Sequence, residues 1–126
     1  MSISFNTREP VYVQVIRHFK EQIATGQLQA GQEIPSRREL GATLKINPNT
    51  AQRAYKEMEE QQLIYTERNR PSRVTEDERV LHAVRQELIE EAIDAFIASI
   101  RPIQVPFNEL MNMTKERYYK EDTSHD

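Results

Sequence analysis

PSRRELGATLKINPNTAQRAY, running from Pro35 to Tyr55, contains two helix starts separated by a short turn. The Ser36 hydroxyl is placed to cap the first helix, and Glu39, three residues on, closes a capping box. Asn47-Pro48 opens the second. Asparagine is a preferred N-cap, and a proline at the first helical position gives up only an N–H that would have had no partner. Only Lys45-Ile46 lies between the two helices, so they must turn sharply onto each other, which is the helix-turn-helix arrangement.

The second helix carries the functional pattern. Ala51, Ala54, Tyr55 and Met58 recur at three- and four-residue spacing and define its buried side, with alanines small enough to let the helices approach closely. The outward side then presents Asn49, Gln52, Arg53 and Lys56, with Thr50 near its edge. These side chains suit a DNA major groove: arginine pairs with guanine twice, asparagine or glutamine with adenine, and threonine meets a thymine methyl or a phosphate. A merely solvated polar face is the alternative. The doubled cap signal and the hairpin that follows favour DNA.

Working outward toward the N-terminus, Ser2 to Glu9 reads as an extended arm with Ile3 and Phe5 as anchors on a neighbouring surface. A helix begins near Pro10, with Tyr12, Ile16, Phe19 and Ile23 as its apolar stripe and Gly26 as a left-handed stop. Gln27 to Pro35 reads as a turn and then one or two extended residues. Beyond the second helix, Leu63 to Glu67 and Ser72 to Thr75 are short β-rich runs joined by Arg68-Asn69-Arg70-Pro71. Such a hairpin is a wing, whose Arg68, Arg70 and Arg73 suit phosphates or the minor groove. A solvated hairpin tip is the plainer alternative.

Near Glu76 the chain changes character. Residues 1–75 carry 11 Lys or Arg against 8 Asp or Glu, whereas residues 76–126 carry 6 against 12, so the net charge of -3 conceals a basic part that contains the helix-turn-helix. Glu76-Asp77-Glu78 suits the positive end of a new helix. Leu81, Val84, Leu88 and Ala92 make one stripe and Ile89, Ile93, Phe96 and Ile100 a second beside it. Pro102 and Pro106 bound a connection to a last amphipathic helix with Phe107, Leu110, Met111, Thr114 and Tyr118, and the polar tail from Lys120 to Asp126 is expected to fray. Two helices cannot bury so wide an apolar surface alone, which predicts an isologous homodimer through these stripes. The alternative folds the hairpin back over its own winged domain. The expected architecture is therefore mainly α with a small β-wing: a winged helix-turn-helix domain over 1–75 and a C-terminal two-helix dimerisation hairpin over 76–126.

Composition excludes several classes. At 126 residues there is room for one domain plus an accessory element, not for a large ligand-binding domain. The absence of cysteine removes disulfides and thiolate metal sites. No apolar run approaches the roughly 20 residues that span a bilayer, and the N-terminus lacks a basic region followed by an apolar one, so a cytoplasmic location is expected. His18, His82 and His125 have no metal-ligand spacing, and neither a phosphate loop nor a nucleophile with its base is present. No enzyme activity, metal or cofactor is expected.

Several stretches together resemble a known family. Pro10-Val-Tyr-Val-Gln14, Gly26-Gln-Leu28, Gly31, Pro35-Ser-Arg-Arg38-Glu-Leu40, Asn47-Pro-Asn-Thr50 and Arg53-Ala-Tyr55 are similar to the N-terminal winged helix of GntR-family bacterial transcription regulators, and the brief C-terminal region resembles the YtrA-type subfamily. The resemblance implies a dimerising C-terminal region and DNA contacts by Arg38, Asn47, Asn49, Thr50 and Arg53. With the outward residues, the helix start and the wing, the expected contact set is Ser36, Arg37, Arg38, Asn47, Asn49, Thr50, Gln52, Arg53, Lys56, Arg68, Arg70 and Arg73. Two positions depart from the family pattern: Asn69-Arg-Pro-Ser72 stands where a Gly-x-Gly turn is usual, and Gln62 where a glycine commonly ends the recognition helix. The resemblance further implies a repressor of its own operon, often one encoding an ABC transporter, acting on a pseudo-palindromic double-stranded operator. A winged-helix module for protein or RNA without operator specificity is the rival reading. A small-molecule effector is allowed for, although no residue cluster nominates one.

Overall fold

In the computed structural model, which describes residues 2–123 and the side chains of 2–120, five α-helices and one β-hairpin follow each other. They are α1 (Val11–Ala24), α2 (Arg37–Leu44), α3 (Pro48–Glu60), β1 (Ile64–Tyr65), β2 (Arg73–Val74), α4 (Glu78–Ile100) and α5 (Phe107–Thr123), with a 3₁₀ turn at Arg101–Ile103. The chain divides into two units, residues 1–89 and 90–126.

In the first unit the local signals fall where the sequence puts them. Glu39 N–H donates to Ser36 Oγ at 3.1 Å while Ser36 N–H donates to Glu39 Oε1 at 3.4 Å, so both halves of the capping box form. Asn47 Oδ1 accepts from Asn49 N–H at 2.8 Å, and Pro48 occupies the first turn of α3. Between the helices Lys45 takes a left-handed conformation (φ 57°) and Ile46 N–H donates to the Gly41 carbonyl at 3.0 Å. A Cβ on Gly41 would lie 3.7 Å from that of Ala51, so small residues on both helices permit the close approach.

Val15, Ile16, Phe19 and Ile23 of α1 meet Ala54, Tyr55 and Met58 of α3, with Leu40, Leu63, Ile64 and Val74 around them. Full burial of each larger apolar side chain contributes roughly 1.5–3 kcal/mol. The Tyr55 phenol crosses this core, meets Phe19 edge-on at 6.1 Å between centroids and donates to the Pro35 carbonyl just before α2. The arm is anchored on this same core, where Ile3 and Phe5 pack against it. Gln14 clips it there, accepting from Asn6 N–H at 3.0 Å and donating to the Asn6 and Glu9 carbonyls at 3.0 and 2.9 Å.

The hairpin is antiparallel, pairing Ile64 with Val74 and Tyr65 with Arg73. Residues 31–34 add a third edge: Gly31 N–H donates to the Val74 carbonyl, Val74 N–H to the Gln32 carbonyl and Ile34 N–H to the Ser72 carbonyl, each at 2.9 Å. The two positions that depart from the family's glycines both take a conformation that glycine favours. Gln62 (φ 63°) ends α3 and Asn69 (φ 60°) turns the wing, both left-handed.

The first unit continues well past Thr75. Asp77 caps α4, accepting from Arg79 N–H at 2.9 Å, and Val80, Leu81 and Val84 pack on the winged domain's core, with Val84 only 4% exposed. Lys20 Nζ reaches Glu87 at 2.9 Å. The first half of α4 thus packs with the winged helix in one compact unit, which runs to residue 89.

The second unit comprises the end of α4, the 3₁₀ turn, Gln104 in a left-handed conformation (φ 58°) and α5. The helix runs to Thr123, so most of the stretch expected to fray is helical, and residues 124–126, including His125, lie outside the described residues. No helix among the described residues is long and apolar enough to cross a membrane.

Candidate nucleic-acid interface

Because α3 buries Ala51, Ala54, Tyr55 and Met58, its polar residues are turned outward by the about 100° advance per residue. Asn49, Gln52, Arg53 and Lys56 are all exposed and Thr50 is half-buried at the edge, as the spacing predicts. The row has a free centre and two restrained flanks. Asn49 and Lys56 have no side-chain hydrogen bond or ion pair among the described residues.

On one flank Arg53 lies over the Tyr12 ring of α1, with its guanidinium carbon 3.8 Å from the ring centroid, and Nε stands 3.6 Å from Glu57 Oε1. Stacking on an aromatic face is worth about 0.5–1 kcal/mol at an exposed site, so it orients the guanidinium without locking it. On the other flank Gln52 Oε1 accepts from Arg37 Nη1 of α2 at 2.8 Å. Arg37 is itself held by Glu59, whose Oε1 accepts from Nη2 at 2.6 Å, and lies 5.8 Å over the Tyr55 ring. Burial pushes the Tyr55 phenol well above its ordinary pKa, so it stays a donor throughout the physiological range.

The other expected contacts separate into two kinds. Ser36 and Asn47 spend their side-chain oxygens on helix caps, leaving them at the exposed ends of α2 and α3. Arg38 is exposed beside Gly41, Ala42, Ile46, Pro48 and Gln52 in a groove between the two helices. Arg68 and Arg70 are exposed on the wing, where Arg70 N–H closes the turn by donating to the Glu67 carbonyl at 3.1 Å. Arg73 is used differently: Nη1 donates to the Gly31 carbonyl and Nη2 to Glu33 Oε1, both at 2.8 Å. It fastens the hairpin to the 31–34 edge instead of reaching outward from the tip.

Tyr12 and Glu59 were not among the expected site residues. Tyr12 reads in sequence as the first member of the α1 stripe, and only the packing of α1 on α3 brings it under Arg53. Of the three histidines, His18 stands on α1 and His82 on α4, and His125 lies outside the described residues. His18 is half-buried, its Nε2 has no hydrogen-bond partner, and burial lowers its pKa; His82 is exposed. No group of His, Cys, Asp or Glu among the described residues could hold a metal ion.

The residues expected at a dimer interface also divide. Val84 is buried in the winged domain's own core and so faces that core rather than a partner, and the half-buried Leu81 packs against it. Leu88 is half-buried and Ile89 exposed at the end of that unit. In the second unit Ala92, Ile93, Phe96, Phe107 and Met111 are exposed and Ile100 and Leu110 half-buried, with Phe107 71% and Ile93 52% exposed. Phe96, Ile100, Ile103, Leu110, Met113 and Tyr118 line an apolar trough of about 880 Å³ within this unit.

Comparison with known proteins places this geometry in context. The model of bacterial regulatory proteins of the gntR family matches residues 11–74, which span α1 through β2. The HTH-type transcriptional repressor YtrA of Bacillus subtilis is 33% identical over 97 residues, covering 72% of this chain and 75% of that protein. The HTH-type transcriptional regulator YhcF of the same organism is 26% identical over 115 residues, covering 91% and 95%. Among solved structures, a GntR family transcriptional regulator from Listeria monocytogenes superposes with a TM-score of 0.79 at 31% identity, covering 89% of this chain and 98% of that one.

Proposed function

The chain belongs to the gntR family of bacterial regulatory proteins, DNA-binding transcription factors and not enzymes, and from that premise we propose that it is a YtrA-type homodimeric repressor. Each protomer lays α3 into a major groove of a pseudo-palindromic operator, with the wing over the flanking backbone. The observation that carries the reading is the outward row Asn49, Gln52, Arg53 and Lys56, exposed along a helix whose entry is fixed by the Asn47 cap and Pro48. Arg38 and the wing's Arg68 and Arg70 supply phosphate contacts on either side. Dimerisation is supported by the apolar face of the second unit, which its own two helices leave uncovered. Repression is supported by the name of the Bacillus subtilis relative, the transcriptional repressor YtrA, and the family resemblance extends the proposal to the chain's own operon, of the kind that often encodes an ABC transporter.

The test is a gel shift with the DNA upstream of the protein's own gene at two salt concentrations. Binding weakens steeply with salt because displaced counterions dominate the affinity. Arg53→Ala costs about 1–3 kcal/mol of specific affinity while nonspecific binding changes little. Equal specific binding by the variant would remove α3 from the proposed readout.

A further inference from the structure

We propose that Arg37 determines which base edge Gln52 reads, by holding the glutamine amide so that its NH₂ group is what faces the duplex. The inference rests on α3 as the groove-facing helix and deepens that reading. Arg37 Nη1 lies 2.8 Å from the Gln52 amide atom, and a guanidinium has donors only, so the atom turned toward it is oxygen. The NH₂ group is therefore turned away from α2 on the exposed side of α3.

The clamp is held from behind. Arg37 Nη2 donates to Glu59 Oε1 at 2.6 Å, and that same oxygen accepts from Thr66 Oγ1 at 3.3 Å. Thr66 Oγ1 and Ser72 Oγ share a hydrogen bond at 2.6 Å across the base of the wing. The line from Gln52 through Arg37, Glu59 and Thr66 to Ser72 thus ties the recognition helix to α2 and to both arms of the hairpin. Side chains joined in this way sample fewer rotamers than solvated ones, so the orientation of the Gln52 amide exists before DNA arrives.

An unrestrained glutamine reads adenine by accepting from N6 and donating to N7. With a cation already bonded to Oε1, the N6 amino group of adenine would have to approach an oxygen whose positive partner is in place. A guanine edge offers two acceptors, N7 and O6, and meets the free NH₂ without that conflict. Arg37 is in this account a positioning residue, and Gln52 the residue that touches the base.

Selection of bound duplexes from a randomised pool, using the full-length protein, decides the matter. The base pair read by Gln52 is identified as the position where Gln52→Ala loses discrimination. The wild type is expected to select guanine there, and Arg37→Met to shift selection roughly tenfold toward adenine once the amide is free to bond through both atoms. Gln52→Glu, which keeps the bond to Arg37 but offers only acceptors, should move the preference to cytosine, whose N4 amino group donates. A structural loss alone would weaken all duplexes equally and leave the preferred base unchanged. Selection of adenine by the wild type, the same base for wild type and Arg37→Met, or guanine still chosen by Gln52→Glu overturns the proposal. Enrichment of no sequence by the wild type at low salt would overturn operator binding itself, and this inference with it.

Discussion

The first and second units answer the same sequence signal in opposite ways. Both are built from helices with apolar residues at three- and four-residue spacing, yet Phe19, Leu40, Tyr55 and Met58 are sealed inside the first, while Ile103, Phe107 and Tyr118 of the second are 69, 71 and 71% exposed. Helix α4 shows the change along one element: Val84 is 4% exposed and Ile93 52%. A helical stripe records that a surface is to be buried, not by what. In the first unit three helices, the first half of α4 and a hairpin enclose a common core. In the second, the end of one helix and the whole of another are too few to do so, and the proposed second copy supplies what is missing.

The strongest way to break this contrast is to delete a large side chain from each unit. Phe19→Ala removes a fully buried ring and leaves a cavity among Ile16, Tyr55 and their neighbours, so denaturant unfolding should show a loss of about 3–5 kcal/mol. A loss below about 1 kcal/mol would mean that the core around α1 is not close-packed. In the second unit the informative change adds a charge. Ile93→Glu leaves the isolated protomer unharmed because the position already faces solvent, but it places a carboxylate in the proposed interface. Sedimentation should then show dimer affinity reduced on the order of a hundredfold, or about 3 kcal/mol, with the first unit's unfolding intact. Unchanged self-association would move the interface off this face.

Where these expectations come from explains what was legible in the sequence. The stretch Pro35–Tyr55 was readable because its determinants are local: the Ser36 and Glu39 box, the Asn47 cap with Pro48, and the spacing of Ala51, Ala54, Tyr55 and Met58 all act within a few residues. Contacts made across the fold were not. Arg73 is bonded to Gly31, 42 positions earlier, and Arg37 to Glu59, 22 positions later, and no periodicity announces either pair. The arginines of the wing and of α2 therefore looked equivalent as cations, whereas the structure spends Arg73 and Arg37 internally and leaves Arg38, Arg68 and Arg70 exposed. The division of the compact units within α4 is hidden from the sequence for a related reason. Acidic residues at Glu76-Asp77-Glu78 mark where a helix begins, not which unit that helix completes.

The smallest expected effect tests the two units at matching points. Gln62 and Gln104 are both glutamines held in the left-handed region, at φ 63° and 58°, and each sits at a helix end that a glycine would suit. A side chain there costs roughly 1–2 kcal/mol, while glycine gives back about 0.5–1 kcal/mol through the greater freedom of its unfolded chain. Either substitution to glycine should therefore be stabilising by about 0.5–1 kcal/mol. At Gln62 the gain belongs to a joint clamped from both sides, since Gln62 N–H donates to the Glu59 carbonyl at 3.0 Å and Leu63 N–H to the Met58 carbonyl at 2.9 Å, so it should raise the melting temperature of the first unit at any protein concentration. At Gln104 the neighbours Ile103 and Phe107 face solvent, and in the proposed dimer this joint lies beside the apolar face that the second copy covers. Gln104→Gly should accordingly strengthen association, seen as a shift of the dimer midpoint to lower concentration. If Gln104→Gly instead stabilised the dissociated chain as much as Gln62→Gly does, the second unit would hold its fold without a partner, and the contrast between sealed and open halves would lose its energetic meaning.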